Sequence, residues 1–352
     1  MPKNLMMSIK PLFRGLILIV ALAAVLLVSD LGNRNRNKDR GNEKQSERWY
    51  NPEGIAQFAI ILYNDSPHSE ETRDGFLQGL KNIGLEEGKD FEVEIYNGQG
   101  DVAVLNTILD VVDSRNFDMV FVSSTPTLQA ASKKITDIPI VLSTVGDPKA
   151  AGVCHDFNDH LPHVTGISSR SDFEGMCRIL GLVMPQAKNI GTIFCPAEAN
   201  SVAYEQYLRE AAVDFGFELL SVPANSSSEV ADAALSMVNS DIDAVCQLSD
   251  NLTGSTAINI IHAADKRGIP YFAFSESQIT MGASLALARD YYQGGIDAIM
   301  LAEKIMKGTP PSQIPIEYIS KTNLIINKKA VEKYDLFIPD RIWQTADKII
   351  NE

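Results

Sequence analysis

From Gln57 onward, short runs of apolar and largely β-branched residues alternate with amphipathic helical stretches, and few folds tolerate that alternation. It is the pattern of a parallel sheet with helices on both faces. The first series predicts strand 58–63, helix 70–83, strand 91–96, helix 102–114, strand 119–122, helix 127–134 and strand 140–143. A linking stretch, 150–163, follows. The second series predicts strand 190–194, helix 201–215, strand 218–222, helix 229–238, strand 244–247, helix 254–267 and strand 271–274. Corresponding strands are offset by about 130 residues, so the body reads as two similar doubly wound α/β lobes in tandem. The repeat is one of architecture, without convincing sequence identity between the halves.

In open α/β sheets the ligand crevice lies beyond the carboxyl ends of the strands. In the first series those ends read Asn64-Asp65-Ser66, Asn97 to Asp101, Ser123-Ser124-Thr125-Pro126 and Thr144 to Pro148. In the second they read Cys195 to Ser201, Asn225-Ser226, Ser249-Asp250-Asn251 and Ser275-Glu276-Ser277. Ser123-Ser124-Thr125-Pro126 is the most telling, because a strand that ends in hydroxyl residues and opens a helix presents free N–H groups and a positive dipole end to an anion. Helix capping alone accounts for such residues one at a time. Two facing sets of them would line a cleft with hydrogen-bonding groups. The candidates drawn from these ends are Ser66, Gln99, Ser124, Thr125, Thr144, Asp147, Asn200, Ser201, Asp250, Asn251 and Glu276. Asp250 stands in the second series where the Ser-Ser-Thr turn stands in the first, so facing lobes would set a carboxylate opposite an anion site. That pairing suits a zwitterion. Asp290 and Tyr291, after the run 284–288, offer a second acid and a ring, and the same Asp290 can cap the helix that follows.

Charge and termini narrow the function. Residues 1–50 hold nine Lys/Arg against four Asp/Glu, which leaves 22 against 41 for residues 51–352, a net of −19. Such a body repels phosphate backbones, so no nucleic-acid partner is expected. Lys3, Lys10 and Arg14 precede an uncharged apolar run, 15–29, closed by Asp30: residues 1–30 read as a signal or anchor segment. Fifteen helical residues rise about 23 Å against a hydrocarbon core of about 30 Å, which favours a signal peptide. The absence of a small-x-small site after the run favours an uncleaved anchor with Arg14 snorkelling, and both readings stand. Residues 31–54, rich in Asn, Arg, Lys, Glu and Gln, read as a polar tether.

Other motifs carry less. Gly98 to Ala103 matches a GxGxxA dinucleotide fingerprint but follows the second strand, and Asp101 would set a negative charge where a pyrophosphate should sit. Cys154, His155, Asp156, Asp159, His160 and His163 share a loop without zinc spacing, and a solvated loop is the better reading. Cys154, Cys177, Cys195 and Cys246 have neither CxxC spacing nor a disulfide framework. No G-x-S-x-G, H-E-x-x-H or P-loop is present, and His68 lies in a loop explained by solvation. No enzyme, metal or cofactor is expected.

Residues 97–101, 125–131, 143–148, 164–168, 185–202, 249–251 and 290–292 stand in the order seen in substrate-binding proteins of ABC transporters, and the chain resembles the group that includes the tryptophan- and tyrosine-binding lipoproteins. The Glu198-Ala199-Asn200-Ser201 run is the most specific piece of a resemblance that covers about 56–335. It implies the type I periplasmic-binding fold: two lobes, a three-strand hinge, and a ligand trapped as the lobes close. The implied crossings lie near Ser168, Arg289 and Ile319, giving lobe 1 as 55–167 plus 290–318 and lobe 2 as 168–289 plus 319–352. The resemblance further implies an extracytoplasmic protein, with ABC permease and ATPase subunits as partners. It implies an aromatic or other small amino acid held by Ser124-Thr125, Thr144, Asn200-Ser201 and Asp250. The lipobox cysteine usual in Gram-positive members is missing. A membrane-tethered sensor with the same binding fold is the alternative.

Overall fold

The computed structural model describes Tyr50, Pro52 and residues 54–351. The predicted segment 1–30 and most of the tether lie outside the described residues. Among the described residues no helix is long and apolar enough to cross a membrane.

Two sheets carry the body. In the six-stranded one, β1 (Ala56–Leu62), β2 (Phe91–Asn97), β3 (Met119–Ser123), β4 (Ile140–Val145), β7 (Val164–Ser168) and β13 (Glu317–Tyr318) run parallel in the order β13-β7-β4-β3-β1-β2. Successive β1 residues explain why it is covered on both sides. Phe58, Ile60 and Leu62 face one core with Phe76 and Leu80, while Ala59 and Ile61 face another with Leu105, Leu109 and Leu128. The helices that supply those partners are α1 (Pro67–Asn82), α2 (Val102–Ser114) and α3 (Thr125–Lys134).

The seven-stranded sheet orders β15 (Lys348–Ile350), β14 (Thr322–Asn327), β12 (Leu285–Arg289), β11 (Tyr271–Ala273), β10 (Ala244–Cys246), β8 (Asn189–Phe194) and β9 (Glu218–Pro223). Helices α4 (Phe173–Val183) and α5 (Ala199–Asp214) cover one face. The other is covered by α6 (Ser227–Val238) and α8 (Ala257–Lys266). This sheet is not wholly parallel, because β14 pairs antiparallel with β12. The predicted helix 254–267 is two pieces, α7 (Asn251–Ser255) and α8, broken at Thr256, and a single-turn α9 (Ser277–Thr280) follows β11. Within the linking stretch, β5 (Cys154–Asp156) and β6 (Asp159–His160) form a small hairpin.

The chain passes between the sheets after β7, after β12 and after β13. The second passage returns it to the first sheet as α10 (Tyr291–Met306), which lies against α1. Glycines permit that approach: a Cβ on Gly75 would sit 2.1 Å from the Tyr292 carbonyl oxygen, and one on Gly295 would sit 2.4 Å from that of Thr72. The N-termini of two helices distant in sequence therefore lie side by side near the carboxyl end of β4.

Candidate ligand-binding site

Strand ends from both sheets enclose a cavity of about 220 Å³. On the first sheet's side, β3 stops at Ser123 and the chain turns at Ser124, whose φ of +81° is a conformation that a residue with a side chain rarely adopts. Helix α3 then begins at Thr125 with no side chain capping it, so its N-terminal dipole end is open toward the cavity wall that Ser124 and Thr125 form. Thr144 is also left-handed, at φ +53°. A register shift between Leu142 and Val145 throws β4 out of step with β7 at this point, and the Thr144 hydroxyl bonds that of Thr72 on α1. Two non-glycine residues with positive φ therefore lie on one cavity wall.

An aromatic wall adjoins them. His68 sits in the first turn of α1, where Ser66 caps the helix and Pro67 opens it, and its ring stacks on Tyr291 at 4.0 Å between centroids. Burial pushes the imidazole down to about 4, so it is neutral at physiological pH. Its Nε2 lies 2.7 Å from Ser275 Oγ, across from the other sheet.

The second sheet's side is organised by carboxylates. Asp250, 5% exposed, caps α7: its Oδ1 accepts from Thr253 N at 2.7 Å and Thr253 Oγ1 at 2.8 Å, and its Oδ2 accepts from Ser201 Oγ at 2.6 Å. Ser201 in turn accepts from Cys195 N at 2.8 Å, tying the loop after β8 to the end of β10. Glu198 accepts from Asn251 N at 3.0 Å and Leu252 N at 2.9 Å, so a second carboxylate serves the same short helix. Burial first, and the Glu198 charge second, push the Asp250 carboxyl up to about 7 against the bonds from Ser201 and Thr253. Among the described residues, the buried Asn64 Oδ1 and Asn200 Oδ1 on the cavity have no partner, and Ser249 Oγ has only the Tyr291 phenol beside it. Each is open to a partner from water or from a bound molecule.

Of the sequence candidates, Ser66, Ser124, Thr125, Thr144, Asn200, Asp250, Asn251 and Tyr291 line this cavity. Ser201 stands behind it, holding Asp250. Gln99 is exposed in the turn before α2, and Asp147 is buried against Tyr207, outside the lining. Glu276 and Asp290 fall beyond the His68–Tyr291 wall in a neighbouring cavity, paired with Lys348 at 2.7 Å and Lys321 at 2.9 Å, and Asp290 caps α10. His68 is therefore no solvated loop residue. Tyr204, missed in the sequence, lines the cavity from α5. Asp156 caps its own hairpin turn and His163 bonds the Ser132 carbonyl oxygen at 3.1 Å; among the described residues no three His, Cys, Asp or Glu gather for a metal.

Comparison with known proteins places this geometry. A tyrosine-binding protein of Clostridioides difficile (strain R20291) is 28% identical over 324 residues, covering 91% of this chain and 92% of that one. A crystal structure of a conserved domain protein from Vibrio cholerae O1 biovar El Tor shares 30% identity with a TM-score of 0.78, over 84% of this chain and 99% of that one. A domain from Streptococcus pneumoniae solved with L-Trp shares the fold at 20% identity, with a TM-score of 0.79 over 84% of this chain and 100% of the other. The family model described as ABC transporter substrate binding protein matches residues 57–350, and the chain belongs to that family of extracytoplasmic binding proteins, which have no catalytic role.

Proposed function

We propose that this protein is the receptor of an ABC importer and captures a small amino acid, with aromatic ones foremost, in the cavity between its sheets. The lobes, 55–167 plus 290–318 and 168–289 plus 319–352, close over the ligand about the three passages and hand it to permease and ATPase subunits. Residues 1–30 hold the protein at the membrane or direct it across.

One observation carries the reading: the cavity sets an uncapped helix start opposite a buried carboxylate and undonated acceptors. The ligand carboxylate goes to the N–H groups at Thr125, beside the Ser124 and Thr144 hydroxyls. The ammonium goes to Asp250, Asn200 and Ser249, where it supplies the missing donors and favours the ionised carboxylate. The His68–Tyr291 wall receives an apolar or aromatic side chain. The name of the Clostridioides relative supports an aromatic one. Calorimetry of the purified protein against the protein amino acids tests this. Binding tighter than millimolar to at least one of them is expected, and a panel with none would overturn it.

A further inference from the structure

We propose that Tyr207 and Asp147 form a closure latch, a bond made between the lobes outside the ligand cavity that favours the closed arrangement with or without a ligand. The proposal rests on the two-lobed receptor reading above. Asp147 follows β4 on the first sheet, and Tyr207 lies on α5 against the second. The Tyr207 hydroxyl donates to Asp147 Oδ2 at 2.5 Å. The carboxylate is set for this by its own turn, because Oδ1 accepts from Lys149 N at 2.8 Å and Ala150 N at 3.0 Å.

The seam around that bond runs toward the hinge. One turn earlier on α5, Tyr204 lies over Gly146 so closely that a Cβ there would be 2.2 Å from its hydroxyl. Arg170, in the first passage between the sheets, places its guanidinium 5.0 Å above the Tyr207 ring and 5.1 Å from that of Tyr318 beside the third passage. Neither Asp147 nor Tyr207 lines the ligand cavity. Burial, and then the bond to Asp147, push the Tyr207 phenol up to about 12, so it stays a donor.

The bond joins residues carried on different sheets, so parting the lobes breaks it. Asp147 is 4% exposed in this arrangement, so without the phenol one carboxylate oxygen would be shut into the seam without its donor, whereas water reaches it when the lobes part. Weakening the latch therefore lowers the closed fraction. Apparent affinity falls by that factor for every ligand alike, and discrimination between ligands is untouched.

Small-angle X-ray scattering of the ligand-free protein, comparing wild type with Tyr207→Phe and Asp147→Asn, reads the latch directly. Tyr207→Phe keeps the ring under Arg170, and Asp147→Asn keeps the turn's acceptor, so at least one variant folds. Tyr207→Phe is expected to show a larger radius of gyration, and Asp147→Asn, whose amide can donate back to the phenol oxygen, a smaller increase. Equal radii without ligand overturn the proposal. Stopped-flow dissociation of L-tyrosine and L-tryptophan is the second arm: about tenfold faster release from Tyr207→Phe is expected, with the ratio of the two affinities unchanged. A changed ratio would make Tyr207 a ligand contact and overturn the latch. If neither amino acid binds the wild type, their capture is refuted while the scattering still decides the latch.

Discussion

The two walls of the cavity solve the same problem in opposite ways. Each is built from strand ends that open helices, and each must satisfy helix starts held away from bulk water. On the first sheet α3 is left uncapped and the backbone is strained at Ser124 and Thr144. On the second, a five-residue helix is served by two carboxylates, Asp250 and Glu198, and the strain is electrostatic: a carboxyl held near 7 by burial and a like-charged neighbour. A wall that offers donors and a wall that offers acceptors suit a molecule carrying both charges.

Removing the charge from the second wall is the sharpest way to break this contrast. Asp250→Asn keeps a cap oxygen for Thr253 and is expected to weaken amino-acid binding about 100-fold in calorimetry, since it strips one partner from a buried charged contact. Unchanged affinity would move the ammonium elsewhere. Titration is a gentler version of the same cut. Burial and the Glu198 charge push the Asp250 carboxyl up to about 7, so affinity is expected to be full above that and to fall as pH drops below it and the carboxyl protonates. His68, held near 4, does not titrate in that window. Glu71 does: burial first, then Glu276 and Asp290, push it up to about 7, but it lies on the neighbouring cavity only. Glu71→Gln should therefore leave the affinity curve in place, and Asp250→Asn should flatten it. The smallest effect tests the first wall. Ser124→Gly relieves the left-handed backbone, so denaturant unfolding is expected to show a gain of about 1 kcal/mol, while binding weakens severalfold for want of the hydroxyl. A loss of stability would mean that the Ser124 bond to Thr127 outweighs the strain.

The alternation of strands and helices was readable because both faces of each strand are buried, as Phe58 and Ala59 illustrate. The polar strand ends were readable too, since the crevice of an open sheet has a fixed place. What the sequence hid was direction. Asp147 and Thr144 belong to one strand end, yet one points to the cavity and the other to Tyr207, decided by a bulge that no residue type announces. His68 was readable in principle: Ser66-Pro67 is a helix-start signature, and starting α1 there puts His68 in its first turn. Tyr291 was a candidate and 290–318 was assigned to the first lobe, but the stacking of the two rings was not readable, because it depends on how closely the glycines of α1 let α10 approach. Asp250 shows that capping and lining a site are compatible roles rather than rivals.

None of the described residues lining the cavity is a lysine or an arginine. On the proposed reading, then, the ligand's negative end is recognised by peptide N–H groups, which no substitution short of proline deletes. Side chains around the cavity other than Asp250 and its partners can drift, and with them the choice among amino acids, while the preference for a carboxylate is inherited with the backbone itself.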